Sequence, residues 1–162
     1  CQGEVTDTPL HICHLAATAA NRGYHSTPHV VHNIQNGSID PIYREKHNTG
    51  VDRRWSDYCV AGMRKAVLDG TCRAANLPGY EVCGKTGTAQ NRGHDHSVFM
   101  GFAPMQQPRI AVSVYVENGG FGNVYGVPIG ALIMEQYLNG KLSASSEKKA
   151  QHFQNMHIKY GD

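Results

Sequence analysis

The stretch "GYEVCGKTGTAQ", residues 79–90, decides how this chain is read. Two patterns share its letters. Gly79, Gly84, Lys85 and Thr86 fit G-x-x-x-x-G-K-[ST], a phosphate-binding loop. Lys85, Thr86 and Gly87 also fit K-T-G, a strand motif. The two patterns demand opposite surroundings. A phosphate loop needs a buried strand before its first glycine and a helix after Lys-[ST], so that backbone N–H groups cradle the phosphates. Here "AANLP" precedes Gly79 and makes a poor buried strand. Tyr80-Glu81-Val82-Cys83 between the glycines reads as a strand, and Glu81 would repel phosphate. After Thr86, "GTAQNRGHDH" carries two glycines and no helical stripe. The stretch is therefore read as a strand through Lys85 at a sheet edge.

These letters resemble the K-T-G of enzymes that transfer acyl groups through a serine, in which negative charge develops on a carbonyl oxygen. The backbone N–H of Thr88 can face that oxygen. Gly87 has no side chain, so a peptide can lie close along the strand. Lys85 offers a positive charge to a substrate carboxylate, and Thr86 and Thr88 offer hydroxyls.

Working outward, the following segments also read as sheet. "SVFMGFA" (97–103) is a second strand, bounded by Pro104. In "RIAVSVYVE" (109–117), Ile110, Val112, Val114 and Val116 alternate with Ala111, Ser113, Tyr115 and Glu117. The short link between these two favours antiparallel pairing. Glu117-Asn118-Gly119-Gly120 reads as a turn out of that strand. "YGVPIGALIMEQYLNG" (125–140) reads as a helix that Pro128 starts and Gly140 ends.

Upstream, Thr8 as N-cap and Pro9 in the first turn start a helix that Asn21-Arg22-Gly23 ends. Its spacing and its small or apolar neighbouring faces predict a mostly buried helix. "HVVHNI" (29–34) is β-prone and precedes an Asn36-Gly37 turn. "WSDYCVAGMRKAVLDG" (55–70) reads as a helix with Trp55, Cys59, Gly62 and Ala66 on one stripe. Residues 1–140 thus form one unit, and a polar tail follows from Lys141.

Composition sets the outer bounds. The chain has 162 residues, 40% apolar and 17% charged, enough for one domain with a core. A formal charge of +2 gives no case for nucleic acid. No apolar run is long enough to span a membrane. The five cysteines are an odd number with no C-x-x-C, and read as small buried residues rather than a disulfide framework. His29-x-x-His32 and the pair His94 and His96 do not bring together the three or four ligands zinc needs, so no metal or other cofactor is expected.

The order of these segments strongly resembles the last third of the transpeptidase domain of class B penicillin-binding proteins, in its elongation-type branch. The resemblance is carried by "GKTGTAQ", "DHSVFMGFAP", "RIAVSVYVENGG" and "YGVPIGALIMEQYL". "QGEVTDTPLHICHLAATAANRG" and "DGTCRAANLPGYEVCGKTGTAQ" resemble the segments that precede them in that family. It extends over residues 1–140. It implies an α/β (α+β) fold, partial here, in which this chain supplies the last three strands of an antiparallel sheet flanked by helices. It implies that Lys85, Thr86, Gly87 and Thr88 wall the active site, and that His96 enters the neighbouring strand beside it. Implied partners are the D-Ala-D-Ala stem peptide of peptidoglycan, β-lactams that mimic it, and the cell-elongation machinery. The implied location is outside the cytoplasmic membrane, on a protein anchored there.

The family also uses S-x-x-K, whose serine is the nucleophile, and S-x-N. No S-x-N occurs in this sequence. S-x-x-K occurs only as Ser145…Lys148 and Ser146…Lys149, after K-T-G and so in the wrong order. The expectation is that the chain begins at Cys1 as an excised piece, carries one wall of the site, and is inactive alone. Two other classes stay open: a non-catalytic module that binds cell-wall peptide or a partner, and a nucleotide-binding domain. Gln2 and Glu4 are further candidates for hydrogen bonds near the site. His11, Cys13 and His14 depart from the family's usual residues on a helix expected to be buried, which puts its packing in question.

Overall fold

A computed structural model of the chain describes residues 6–157. Cys1, Gln2 and Glu4 lie outside the described residues. Helix α1 (Pro9–Ala20) is capped by the Thr8 side chain, which accepts from His11 N–H, with proline in its first turn. Two-residue strands β1 (Tyr24–His25) and β2 (His47–Asn48) pair antiparallel. Helix α2 (Arg53–Leu68) follows, with Asp52 as its cap. Strands β3 (Cys83–Ala89), β4 (His96–Ala103) and β5 (Ile110–Val116) form one antiparallel sheet in the order β3-β4-β5. Helix α3 (Gly126–Asn139) ends on Gly140 in the left-handed conformation, and α4 (Ala144–Gln154) closes the described chain.

Alternation along the strands sorts the core into two layers. Phe99, Val112 and Val114 share one cluster with Val127, Ala131 and Met134 of α3. Phe102 and Cys83 share the other with Ala20 of α1 and with Val60 and Met63 of α2. The sheet is therefore sandwiched between α3 and the α1–α2 pair. Phe99 is fully buried in a slot floored by glycines: a Cβ at Gly84, Gly101 or Gly130 would come within 2.6, 2.7 or 2.5 Å of its ring. Arg22 ties the α1–α2 layer together. Its guanidinium donates to Asp57 Oδ1 at 2.8 Å, Ala20 O at 2.8 Å and Met105 O at 3.0 Å.

Five expectations differ from the structure. The strand expected from Tyr80 begins only at Cys83, because residues 80–82 make a turn. Helix α1 is only partly buried, at Ala16 and Ala20, and Leu10 and Leu15 are 59% and 57% exposed. This also relieves the question of its polar residues: His11 is exposed, His14 Nε2 lies 3.1 Å from Ser26 O, and the Cys13 thiol reaches Ala111 O at 3.6 Å. On α2 the buried stripe is Ser56, Val60, Met63 and Val67, one residue round from the expected one. One residue is about 100° of helix, and it turns Trp55 outward beneath the Arg54 guanidinium, 5.2 Å from its ring. Residues 29–34 form no strand; Val30 is 99% exposed and the segment has no strand to pair with. The polar segment from Lys141 is helical: Ser143 caps α4, and Ser146 is buried against Glu135 of α3.

Candidate active site

β3 is one of the two edge strands of the sheet among the described residues. It begins at Cys83 because Gly79 is left-handed and Tyr80–Val82 make a turn, with Val82 N–H donating to Tyr80 O at 3.2 Å. It then runs through Lys85 to Ala89 with no helix after Thr86. That removes the surroundings a phosphate loop requires, and with them the nucleotide reading.

Register decides what each residue faces. Lys85, Gly87 and Ala89 pair with Met100, Val98 and His96. These look toward α1 across a cleft of about 450 Å³, whose far side includes Ile12 and Leu15 and whose sheet side extends to Tyr115 on β5. The Lys85 ammonium is exposed and donates to Thr86 O at 2.6 Å. Thr86 and Thr88 alternate to the other side of the strand. The Thr86 and Thr71 hydroxyls are 2.7 Å apart, which leaves acceptor capacity on each. Thr86 also borders the cleft, whereas the Thr88 side chain does not line it.

The backbone is oriented by a close contact from behind. A Cβ on Gly122 would fall 2.7 Å from Gly87 O and 2.5 Å from Val98 O. Both oxygens of this cross-strand pair therefore lie together, between the strands. The Gly87–Thr88 peptide is planar and trans, so its N–H points opposite to its carbonyl. The Thr88 N–H thus faces the open edge. The Lys85 ammonium reaching Thr86 O at that same edge agrees with this alternation.

His96 starts β4 opposite Ala89. Its Nδ1 accepts the Asn118 N–H at 2.9 Å, so the neutral ring carries its proton on Nε2. The ring sits 5.3 Å from Tyr115 at the cleft. Cys72 and Cys83 lie near the strand, but burial pushes both thiols up, Cys83 to about 11. Neither is an activated nucleophile at neutral pH. Ser146 lies on the α3 side and donates to Glu135, away from the cleft, while Ser145 is exposed. Among the described residues, no group of three or more His, Cys, Asp or Glu is arranged to hold a metal ion. Of the residues singled out in the sequence, Lys85, Thr86, Gly87 and His96 line the cleft and the Thr88 side chain does not. The sequence did not single out Thr71 or Ser97, whose contacts are with residues distant in sequence.

Residues 1–138 match the family described as the penicillin binding protein transpeptidase domain. The chain belongs to this family. The peptidoglycan D,D-transpeptidase MrdA of Acinetobacter baumannii is 36% identical over 141 residues, 75% of this chain and 21% of that protein. The peptidoglycan D,D-transpeptidase PbpA of Mycobacterium tuberculosis is 30% identical over 158 residues, 86% of this chain and 31% of that protein. Among solved structures, Pseudomonas aeruginosa PBP2 in complex with WCK 5153 superposes with a TM-score of 0.74 at 35% identity. It covers 89% of this chain and 33% of that one. The imipenem acyl-enzyme complex of penicillin-binding protein A from M. tuberculosis gives a TM-score of 0.74 at 28% identity, with 85% and 32% covered. The chain thus spans 21% to 31% of the length of these two curated relatives. The antiparallel sheet flanked by helices that the resemblance implied is shared with these transpeptidase domains. Among the described residues no helix is long and apolar enough to cross a membrane.

Proposed function

We propose that this chain forms the K-T-G wall of a serine D,D-transpeptidase that cross-links peptidoglycan. The observation that carries the reading is Lys85-Thr86-Gly87 on an edge strand of the sheet, beside a cleft, with the Thr88 N–H turned outward. In this reading a stem peptide ending in D-Ala-D-Ala lies along β3. The Lys85 ammonium and the Thr86 hydroxyl hold its terminal carboxylate. Gly87 lets the peptide approach the strand. A serine attacks the penultimate carbonyl, and the Thr88 N–H stabilises the oxyanion that forms. D-Ala leaves, and an amine of a second stem peptide takes the acyl group. β-Lactams present a carboxylate and a reactive carbonyl in the same arrangement and stop at the acyl-serine.

The serine and its activating lysine are assigned to an S-x-x-K elsewhere in the same protein, with an S-x-N between it and this chain. The 162 residues alone then carry no reacting group. The protein would be anchored in the cytoplasmic membrane, face the periplasm and work with the elongation machinery. His96, with Nε2–H at the cleft, is assigned to hydrogen bonding within the site.

The test is acylation of the full protein by a fluorescent penicillin. Lys85→Ala is expected to slow it about a hundredfold or more, the scale on which one preorganised electrostatic contact acts. Acylation at the unmodified rate would remove Lys85 from the site. A full protein with neither S-x-x-K nor S-x-N upstream would instead support a module that binds cell-wall peptide without reacting.

A further inference from the structure

The loop between β5 and α3 is clipped to the start of β4 at three successive residues. Asp95 O accepts from Gly120 N–H at 2.7 Å, and His96 Nδ1 accepts from Asn118 N–H at 2.9 Å. The buried Ser97 hydroxyl donates to Phe121 O at 2.9 Å and accepts from Gly126 N–H at 3.0 Å. Ser97 thereby brackets the residue of this loop that meets the back of the K-T-G strand, Gly122.

Gly122 is buried, and a Cβ there would lie 2.5 Å from Val98 O, 2.7 Å from Gly87 O and 3.0 Å from Thr86 Cβ. Its φ lies outside the left-handed region, so close approach, not backbone conformation, demands glycine. The two oxygens cannot yield without shifting β3 against β4. Gly87 O and Thr88 N–H are opposite ends of one rigid peptide group. Pressure on the carbonyl from behind tilts the N–H at the edge.

We propose that Gly122, seated by Ser97, is a positioning residue that sets the aim of the Thr88 N–H. The proposal rests on the acyl-transfer reading above and deepens it. Gly122 touches no substrate; it acts through the Gly87–Thr88 peptide. Side-chain contacts of Lys85, on the far face of the strand, are left as they are.

The experiment is saturation kinetics of penicillin acylation on the full protein, separating the noncovalent dissociation constant from the acylation rate constant. In Gly122→Ala the rate constant is expected to fall about ten- to a hundredfold, as a misaimed donor predicts, with the dissociation constant within about threefold. Ser97→Ala, which loosens the bracket without adding an atom, is expected to move the same constant in the same direction by less. Gly93→Ala, where a Cβ meets nothing within 4 Å, serves as the control and is expected to leave both constants unchanged. An unchanged rate constant in Gly122→Ala would overturn the proposal. So would a joint loss of rate, affinity and melting temperature in both variants, which marks mere structural support. A wild-type protein that is not acylated would sink the acyl-transfer reading, and this proposal with it.

Discussion

Glu135 is 7% exposed, yet its carboxyl is held below the usual carboxylate range. Burial alone acts the other way and would raise it. The Ser146 hydroxyl and the Ser143 N–H, both donating to it, outweigh burial. A folded-state pKa below the unfolded one adds stability that is present above the ordinary carboxylate value of about 4.3 and is lost as pH falls through the lower folded value. Melting temperature is therefore expected to drop on acidification below about pH 5 more steeply in the wild type than in Glu135→Gln. Equal slopes in a pH series of thermal melts would contradict this clamp on α4. Nothing in the sequence marked Glu135, because its partners lie beyond a glycine-terminated helix, in a segment read as a polar tail.

At the scale of elements, α3 meets the sheet where Phe99 fills a slot between glycines of α3 and of β3 and β4. Phe99→Ala empties that slot, and the three glycines that face the ring have no side chains with which to refill it. The expected cost is about 3–5 kcal/mol, read from chemical denaturation; a loss below about 1 kcal/mol would show that the layers collapse onto one another. The strands were legible because alternation in "RIAVSVYV" fixes both their type and their inward face. Helix α1 was legible from Thr8 and Pro9, which act locally. What escaped were the faces of α1 and α2. The residues of α1 are apolar or small nearly all round, so spacing alone does not choose a direction; in α2, Trp55 and Cys59 offered an apolar stripe one residue away from the one that is buried. The choice is made by which sides meet the sheet. "HVVHNI" misled for a related reason: β propensity has no effect where no strand is available to pair.

The whole molecule joins a sequence motif to an edge that only the fold creates. K-T-G was readable as letters, and its strand setting as a pattern. The outward aim of the Thr88 N–H was not, because it depends on Gly122 arriving from 35 residues further along the chain. The family match covers residues 1–138, while the chain spans about a fifth to a third of its curated relatives. In the proposed function these residues form the wall, and the nucleophile belongs to another part of the same protein. The most direct test is mass spectrometry of penicillin-treated protein, with peptide mapping of the adduct, on the full protein and on the 162-residue chain alone. One penicilloyl group on a serine outside these residues in the full protein, and none on the isolated chain, is the predicted result. An adduct on Ser145, Ser146 or any other residue of the isolated chain would contradict it.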